Sequence, residues 1–279
     1  WKVAGGELNI SISQNGCSRH IIPLESFLTH QLEDYIFEVD NKSITHRPDM
    51  WGHRGIAREV AAILNVELFP ESKFLVAGIT EQLTQSEGTN LGELAPVIRV
   101  ATDGCKRISA IYVADVANTP SSLAIATRLL RVESNFHNFI VDATNYVMLD
   151  WGHPMHAFDG DKIKGKLEVR KATPGEKLNL LEGSAIDLTE RDIVIADDQT
   201  VVSLAGINGG IGSGITDQTS KLLLEAACFD AATIRLSSAH HKLRTDASAR
   251  FEKSLDPVNT TKAVLRCLNL FKEHGISLN

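Results

Sequence analysis

Apolar residues recur at helical spacing in a segment near the start of the chain, between residues 54 and 64. The apolar positions recur once per helical turn, at Ile56, Ala57, Val60, Ala61, Ile63 and Leu64. This spacing predicts an amphipathic helix. The stretch from residue 80 to residue 93 is rich in polar residues and glycine, and it predicts a loop or linker.

The linker divides the chain into two predicted parts. Residues 1–98 are expected to form a lead-in segment with a small helical module, and residues 99–279 a larger domain, with the boundary near residues 96–101. The chain begins at Trp1, without an initiator methionine or a signal-peptide pattern, so we expect it to be a piece of a longer protein.

Short apolar runs predict five strands in the larger domain, at residues 107–113, 167–170, 192–196, 201–204 and 221–229. Thr119 and Pro120 predict the N-cap and first turn of a helix that runs to about Arg131. Asp256 is expected to precede a final helix that ends near Gly275. Because the strands are grouped and do not alternate regularly with helices, we predict the α+β class. The expected core has mixed β-sheets in a barrel-like arrangement, flanked by helices, with a smaller helical N-terminal segment.

The charge and cysteine content exclude several classes of protein. The net charge is −7, and residues 1–98 carry 7 Lys and Arg against 13 Asp and Glu. Because nucleic-acid binding depends on neutralising phosphates, we expect such an acidic chain to bind RNA weakly on its own. The four cysteines include no Cys-x-x-Cys pair, which argues against a zinc site or a disulfide framework and favours the cytoplasm. No apolar run approaches the roughly eighteen residues of a membrane span, so no membrane partner is expected.

Four separated segments mix small, polar and apolar residues in a way that predicts the walls of one pocket. Residues 141–159 offer hydroxyl, amide, imidazole and carboxyl groups, at Asp142, Thr144, Asn145, His153, His156 and Asp159. A glycine-rich run follows at residues 205–210. The apolar run at residues 222–227 contains a single acid, Glu225, and the fourth segment is residues 244–252.

In this order, the four segments resemble the editing region of the beta subunits of bacterial phenylalanine–tRNA ligases, which comprises the third and fourth domains of that subunit. The resemblance is strongest from residue 107 to residue 256. The segments 41–49 and 55–59 also match the part of the subunit that precedes the editing region. One departure stands at residues 133–138, where family members often have an Arg-Pro pair.

The resemblance implies an editing module that binds and hydrolyses tyrosyl-tRNA(Phe). It implies an alpha subunit and tRNA(Phe) as partners in a heterotetramer of two alpha and two beta subunits. The whole enzyme uses ATP and magnesium, whereas no cofactor is expected in this chain. Two other interpretations stay open. The chain could be a structural, tRNA-contacting module of the same subunit with an inactive pocket, or an unrelated protein that binds small molecules.

Glu225 and His156 are the candidates for specificity and catalysis. Since a lone carboxyl in an apolar strand is costly, Glu225 either faces solvent, pairs with an arginine, or waits for a ligand donor. The resemblance implies that it accepts a hydrogen bond from the tyrosine hydroxyl. His156 either bonds backbone in a turn or, as the resemblance implies, lines the pocket and positions a water molecule. The spacing of His153 and His156 disfavours a metal site.

The remaining candidates are expected to bind the substrate. Thr144 and Asn145 either bond local backbone or, by resemblance, form the pocket wall. The glycine-rich run predicts a tight turn or a close approach to a ligand, and these two roles are compatible. The resemblance adds Thr245 and Ala247, so the further substrate-binding residues are Ala205, Gly206, Gly209, Thr245 and Ala247.

The chain is most basic at residues 235–253. The residues concerned are Arg235, His240, His241, Lys242, Arg244, Arg250 and Lys253. A solvated helix face explains such a run, and so does a surface that guides the acceptor end of tRNA.

Overall fold

The computed structural model describes residues 38–39, 41–77 and 97–276, together with the backbone of three strands near the start of the chain. Those strands are β1 (Lys2–Ala4), β2 (Glu7–Ser11) and β3 (Arg19–Pro23), which form an antiparallel sheet in the order β1-β2-β3. The predicted linker at residues 80–93 lies outside the described residues.

Six α-helices are present in the described residues. They are α1 (His53–Leu64), α2 (Leu123–Arg131), α3 (Phe139–Trp151), α4 (Ala231–His241), α5 (Asp246–Phe251) and α6 (Asn259–Glu273). The amphipathic helix predicted near the start of the chain is therefore confirmed as α1. No helix in the described part of the chain is both long and apolar enough to cross a membrane.

Ten further strands follow β3. They are β4 (Ile98–Val100), β5 (Cys105–Val113), β6 (His156–Asp159), β7 (Leu167–Lys171), β8 (Lys177–Asn179), β9 (Ala185–Asp187), β10 (Ile193–Ala196), β11 (Val201–Leu204), β12 (Asn208–Gly209) and β13 (Leu222–Phe229). All five predicted strands are found, each with ends shifted by at most two residues.

The strands form open sheets. One sheet has the order β12-β11-β10-β7-β4, a second has the order β5-β13-β6, and β8 pairs with β9. Only β4 and β7 are parallel among the described pairs. The α+β class is confirmed, but the described strands do not close into the barrel-like core that we expected.

Strand β13 is the central strand of the sheet β5-β13-β6. All eight of its residues are buried, and it pairs antiparallel with β5 on one edge and with β6 on the other. Alternate side chains of a strand point to opposite faces of the sheet. Leu222 and Leu224 pack with the helices α3 and α6, whereas Leu223 and Ala227 pack toward the five-stranded sheet. Glu225 therefore lies between the two sheets.

Helix α2 begins three residues later than the turn at Thr119 predicted. Ser122 is the N-cap, and its Oγ accepts the Ile125 N–H at 3.4 Å. Thr119 is engaged elsewhere, because its carbonyl accepts the N–H of Phe139 at 2.8 Å and its Oγ1 bonds His274 at 3.0 Å. The prediction of the N-cap was therefore wrong, although the helix ends at Arg131 as expected.

The lead-in segment docks on the larger domain through its backbone. Gly52 lies so close to Gly152 that a Cβ on Gly52 would stand 2.3 Å from the Gly152 nitrogen. Arg250 Nε donates to the carbonyl of Trp51 at 3.0 Å, and His53 Nδ1 bonds the Leu149 carbonyl at 2.9 Å. These contacts cross the predicted boundary between the two parts.

Replacing Gly52 by Ala is expected to destabilise the chain by about 1–3 kcal/mol, because the new methyl group would overlap backbone that cannot move aside. Urea denaturation measures the change in the free energy of unfolding. Gly212→Ala is the matched control, since nothing lies within 4 Å of a Cβ at that position. Equal stability of the two variants would contradict the close backbone contact.

Candidate functional site

A cavity of about 410 Å³ lies beside β13, and all four predicted segments contribute to its wall. Its lining contains seven of the nine candidate site residues, which are Asn145, His156, Gly206, Gly209, Glu225, Thr245 and Ala247. The volume falls within the usual range for small-molecule pockets, roughly 300–1,000 Å³.

Thr144 and Ala205 are absent from the lining of this cavity. The hydroxyl of Thr144 donates to the carbonyl of Val141 at 2.7 Å within α3, which is the local backbone bond that its residue type also allowed. Ala205 is buried in the core, and its N–H donates to the Ile193 carbonyl at 3.0 Å. The two positions next to them, Asn145 and Gly206, reach the cavity.

Glu225 is buried and unpaired in the cavity wall. The residue is 7% exposed, and no other described residue forms an ion pair or hydrogen bond with its carboxyl group. Burial raises the pKa of Glu225 to about 8, so the group is largely protonated at neutral pH. In the structure, the carboxyl group of Glu225 therefore neither faces solvent nor pairs with an arginine.

His156 stands directly opposite Glu225 in the antiparallel pair of β6 and β13. Directly opposed residues project to the same face of a sheet, so both side chains belong to one wall. The His156 Nε2 is buried and bonds no other described residue. Burial lowers the pKa of His156 to about 4, so the ring is neutral at physiological pH. Two unsatisfied polar groups thus face one cavity.

Gly209 approaches the His156 ring closely. A Cβ on Gly209 would lie 2.6 Å from Cε1 and 2.9 Å from Nε2 of that ring. The position therefore needs a residue without a side chain. Gly206 makes the turn between β11 and β12 with φ of +69°, in the left-handed region that favours glycine. The predicted tight turn is therefore present at Gly206, whereas the close approach of this run to a ligand stays a prediction.

His153 is a structural histidine. Its Nε2 bonds the carbonyl of Ala227 at 3.0 Å, the side chain is buried, and burial lowers its pKa to about 4. Asp159 accepts from Thr219 Oγ1 at 2.7 Å. Within the described ranges, no group of three or more His, Cys, Asp or Glu side chains is placed to hold a metal ion.

Thr245 joins two walls of the cavity. It is the N-cap of α5 in a capping box with Ser248, and its hydroxyl also donates to the Ile207 carbonyl at 3.0 Å. Arg250, one helical turn further on, donates to the Asp246 carbonyl at 2.9 Å and to the carbonyl of Trp51. The lead-in segment and the cavity wall are thereby connected through one buried side chain.

The basic stretch is less exposed than its composition suggests. Arg250 is buried, and the side chain of His241 is buried against Asp192 at 2.8 Å. Neither group is available to a solvent-side partner. The exposed basic side chains that remain are those of Arg235, His240, Lys242 and Arg244, while Lys253 lies half-buried over the ring of Trp51.

Sequence reasoning missed part of the wall. Glu133, Ser134, Asn135 and His137 line the cavity, in the segment noted only as a departure from the family pattern. Leu181 also lines it, from the turn between β8 and β9. No periodicity marks a single leucine in a turn, so Leu181 carried no signal.

Replacing Glu225 by Gln is expected to remove a pH dependence of stability. The pKa of this carboxyl is raised from 4.5 to about 8, so the folded chain retains a proton that the unfolded chain has lost. From this group, the free energy of unfolding falls by about 1.4 kcal/mol per unit between roughly pH 5 and pH 8. Urea denaturation of both proteins across that range measures the difference.

The histidines do not disturb this comparison. His153 and His156 have lowered pKa values and so change stability in the opposite direction, below about pH 6.5. Because both histidines are present in the two proteins, their effect cancels in the difference. A difference that stays constant from pH 5 to pH 8 would show that Glu225 is solvated.

Comparisons with known proteins identify the family of this chain. The family model described as "B3/4 domain" matches residues 104–275. The phenylalanine–tRNA ligase beta subunit of Solibacter usitatus is 41% identical over 274 residues, covering 97% of this chain and 34% of the relative. That of Anaeromyxobacter dehalogenans is 38% identical over 240 residues, covering 86% of this chain and 29% of the relative.

The chain spans about a third of the length of these relatives. A crystal structure of an N-terminal fragment of the phenylalanyl-tRNA synthetase beta subunit from Pyrococcus horikoshii aligns with 77% of this chain and 60% of its own. The alignment has 16% identity and a TM-score of 0.37, which is too loose to carry an argument. The family model matches residues 104–275, which is more than half of the chain, and the chain therefore belongs to the B3/4 domain family.

Proposed function

We propose that this chain is the editing module of a phenylalanine–tRNA ligase beta subunit and that it hydrolyses tyrosyl-tRNA(Phe). The observation that carries the proposal is Glu225, a buried carboxyl without a protein partner in a cavity of small-molecule size. A buried polar group without a partner costs free energy. A ligand hydroxyl in the cavity would remove that cost.

A buried carboxyl group can distinguish tyrosine from phenylalanine, which an apolar pocket does poorly. An apolar pocket shaped for phenylalanine rejects an added hydroxyl by only about a hundredfold. A site built to bond the hydroxyl rejects the ligand that lacks it by on the order of ten-thousandfold, because the buried acceptor is then left unpaired. Protonated Glu225 offers both an O–H donor and a carbonyl acceptor to a phenol.

His156 is proposed to act on water. Hydrolysis requires a water oxygen to attack the ester carbonyl while a neighbouring group accepts a hydrogen bond from that water. The neutral Nε2 of His156 has a free acceptor or donor role, depending on the tautomer. With a pKa near 4 the ring is a weak base, so orienting the water is its main contribution. The ribose hydroxyl of the tRNA is the other candidate.

The remaining lining residues would hold the substrate. Asn145 offers an amide for the ribose or the amino group, and Gly209 provides the space beside His156. An alpha subunit and tRNA(Phe) are the proposed partners of the whole enzyme, where ATP and magnesium serve aminoacylation. The acidic net charge of the chain implies that other parts of the assembly hold most of the tRNA.

Glu225→Ala is expected to abolish a preference for L-tyrosine over L-phenylalanine. The unmodified chain should bind tyrosine at least about tenfold more tightly, because phenylalanine would leave the buried carboxyl unpaired. NMR titration of both amino acids into this chain measures the preference. Glu190→Ala removes an exposed carboxyl elsewhere and is the control. If a folded sample binds neither amino acid, a structural module with an inactive pocket becomes the better account.

His156→Ala in the whole enzyme is expected to slow deacylation of tyrosyl-tRNA(Phe) by about a hundredfold, since an oriented water is lost. Single-turnover hydrolysis of the preformed ester measures the rate. The rate of charging with phenylalanine should stay unchanged, because that chemistry takes place elsewhere in the enzyme. An unaltered deacylation rate would remove His156 from the mechanism.

A further inference from the structure

The mouth of the cavity carries an unpaired carboxylate. Five of the lining residues are exposed, and they mark the opening: Glu133, Asn135, His137, Leu181 and Asp246. Asp246 is paired with Arg250, whose Nη1 lies 3.2 Å from its carboxylate. Glu133 has no ion pair or hydrogen bond from its side chain to another described residue. Of the two carboxylates among the described residues at the opening, only that of Glu133 therefore lacks a cationic partner.

The backbone at Glu133 suits a different residue. Helix α2 ends in a Schellman motif, in which Glu133 N–H donates to the Leu130 carbonyl at 3.1 Å and Ser134 N–H to the Leu129 carbonyl at 3.0 Å. Glu133 occupies the C′ position with φ of +57°, where glycine is strongly preferred because a Cβ is disfavoured there. The helix end would be more stable with glycine, so the carboxylate does not serve the fold at this position.

We infer that Glu133 binds the positively charged α-ammonium group of the aminoacyl ester. The inference rests on the proposed function. With the ring hydroxyl at Glu225 and the ester carbonyl near His156, the ammonium group and the tRNA ribose are left for the opening, and of these only the ammonium group is a cation. A carboxylate there attracts a cation and repels phosphate. The preferred substrate class is thus an aminoacyl ester with a free amino group, and N-acylated esters are disfavoured.

Binding of two amides tests this inference. L-tyrosinamide carries the ammonium group and no carboxylate, whereas N-acetyl-L-tyrosinamide lacks the charge. At pH 6, below the α-amino pKa of about 7.7, Glu133→Gln should weaken binding of L-tyrosinamide about tenfold. Binding of the N-acetyl compound should not change. Glu190→Gln, which removes an exposed carboxylate that is not part of the lining, should alter neither affinity.

Glu133→Gly separates a ligand role from a structural one. This variant should raise the midpoint of thermal unfolding by on the order of 2 °C while it weakens L-tyrosinamide binding as Glu133→Gln does. A residue that serves only the fold would not show these opposite changes.

Three outcomes overturn the inference, and they are distinguishable. If Glu133→Gln binds L-tyrosinamide as the unmodified chain does, while tyrosinamide is still preferred over phenylalaninamide, only the inference about Glu133 fails. If both amides lose affinity equally, Glu133 shapes the opening and does not bind the charge. If the unmodified chain binds no amide, the inference and the proposed function fail together.

Discussion

The structure depends on the pairing of β13 along both of its edges. With β5 on one side and β6 on the other, the strand cannot shift its register without turning its buried side chains to the wrong face. That register holds Glu225 opposite His156 and directs both toward the space between the sheets. A carboxyl at the centre of an apolar strand persists there because its pKa is raised and the group is protonated. The site is therefore a consequence of how the core is paired.

Much of this arrangement could be predicted from the sequence, for a physical reason. Apolar runs with branched residues leave few choices of secondary structure, so the strands and the amphipathic helix α1 were found near their observed positions. The acid within one such run marked Glu225 as exceptional. The sequence did not show which distant residues meet in space. Residues 156 and 225 are far apart in sequence, and only the antiparallel pairing brings them face to face.

Single positions within the predicted segments show where sequence reasoning ends. Thr144 and Asn145 are neighbours in α3, but successive helical residues point about 100° apart, and only Asn145 reaches the cavity. His153 and His156 differ in the same way, because one bonds backbone and the other does not. The number of basic residues at positions 235–253 likewise did not show how much positive charge is exposed. Burial removes Arg250 and His241 from the charge that a solvent-side partner would meet.

The contact between Gly52 and Gly152 has a consequence for how this region can be inherited. A side chain on Gly52 would overlap the facing backbone, and Gly152 has a φ of +76°, which favours glycine. The buried Arg250 draws its acceptor from the same loop. A recombination event that joined the segment around residue 52 of one lineage to the domain of another would have to match both backbones at once. The lead-in segment and the cavity-bearing domain are therefore expected to change together, as one unit of evolutionary exchange.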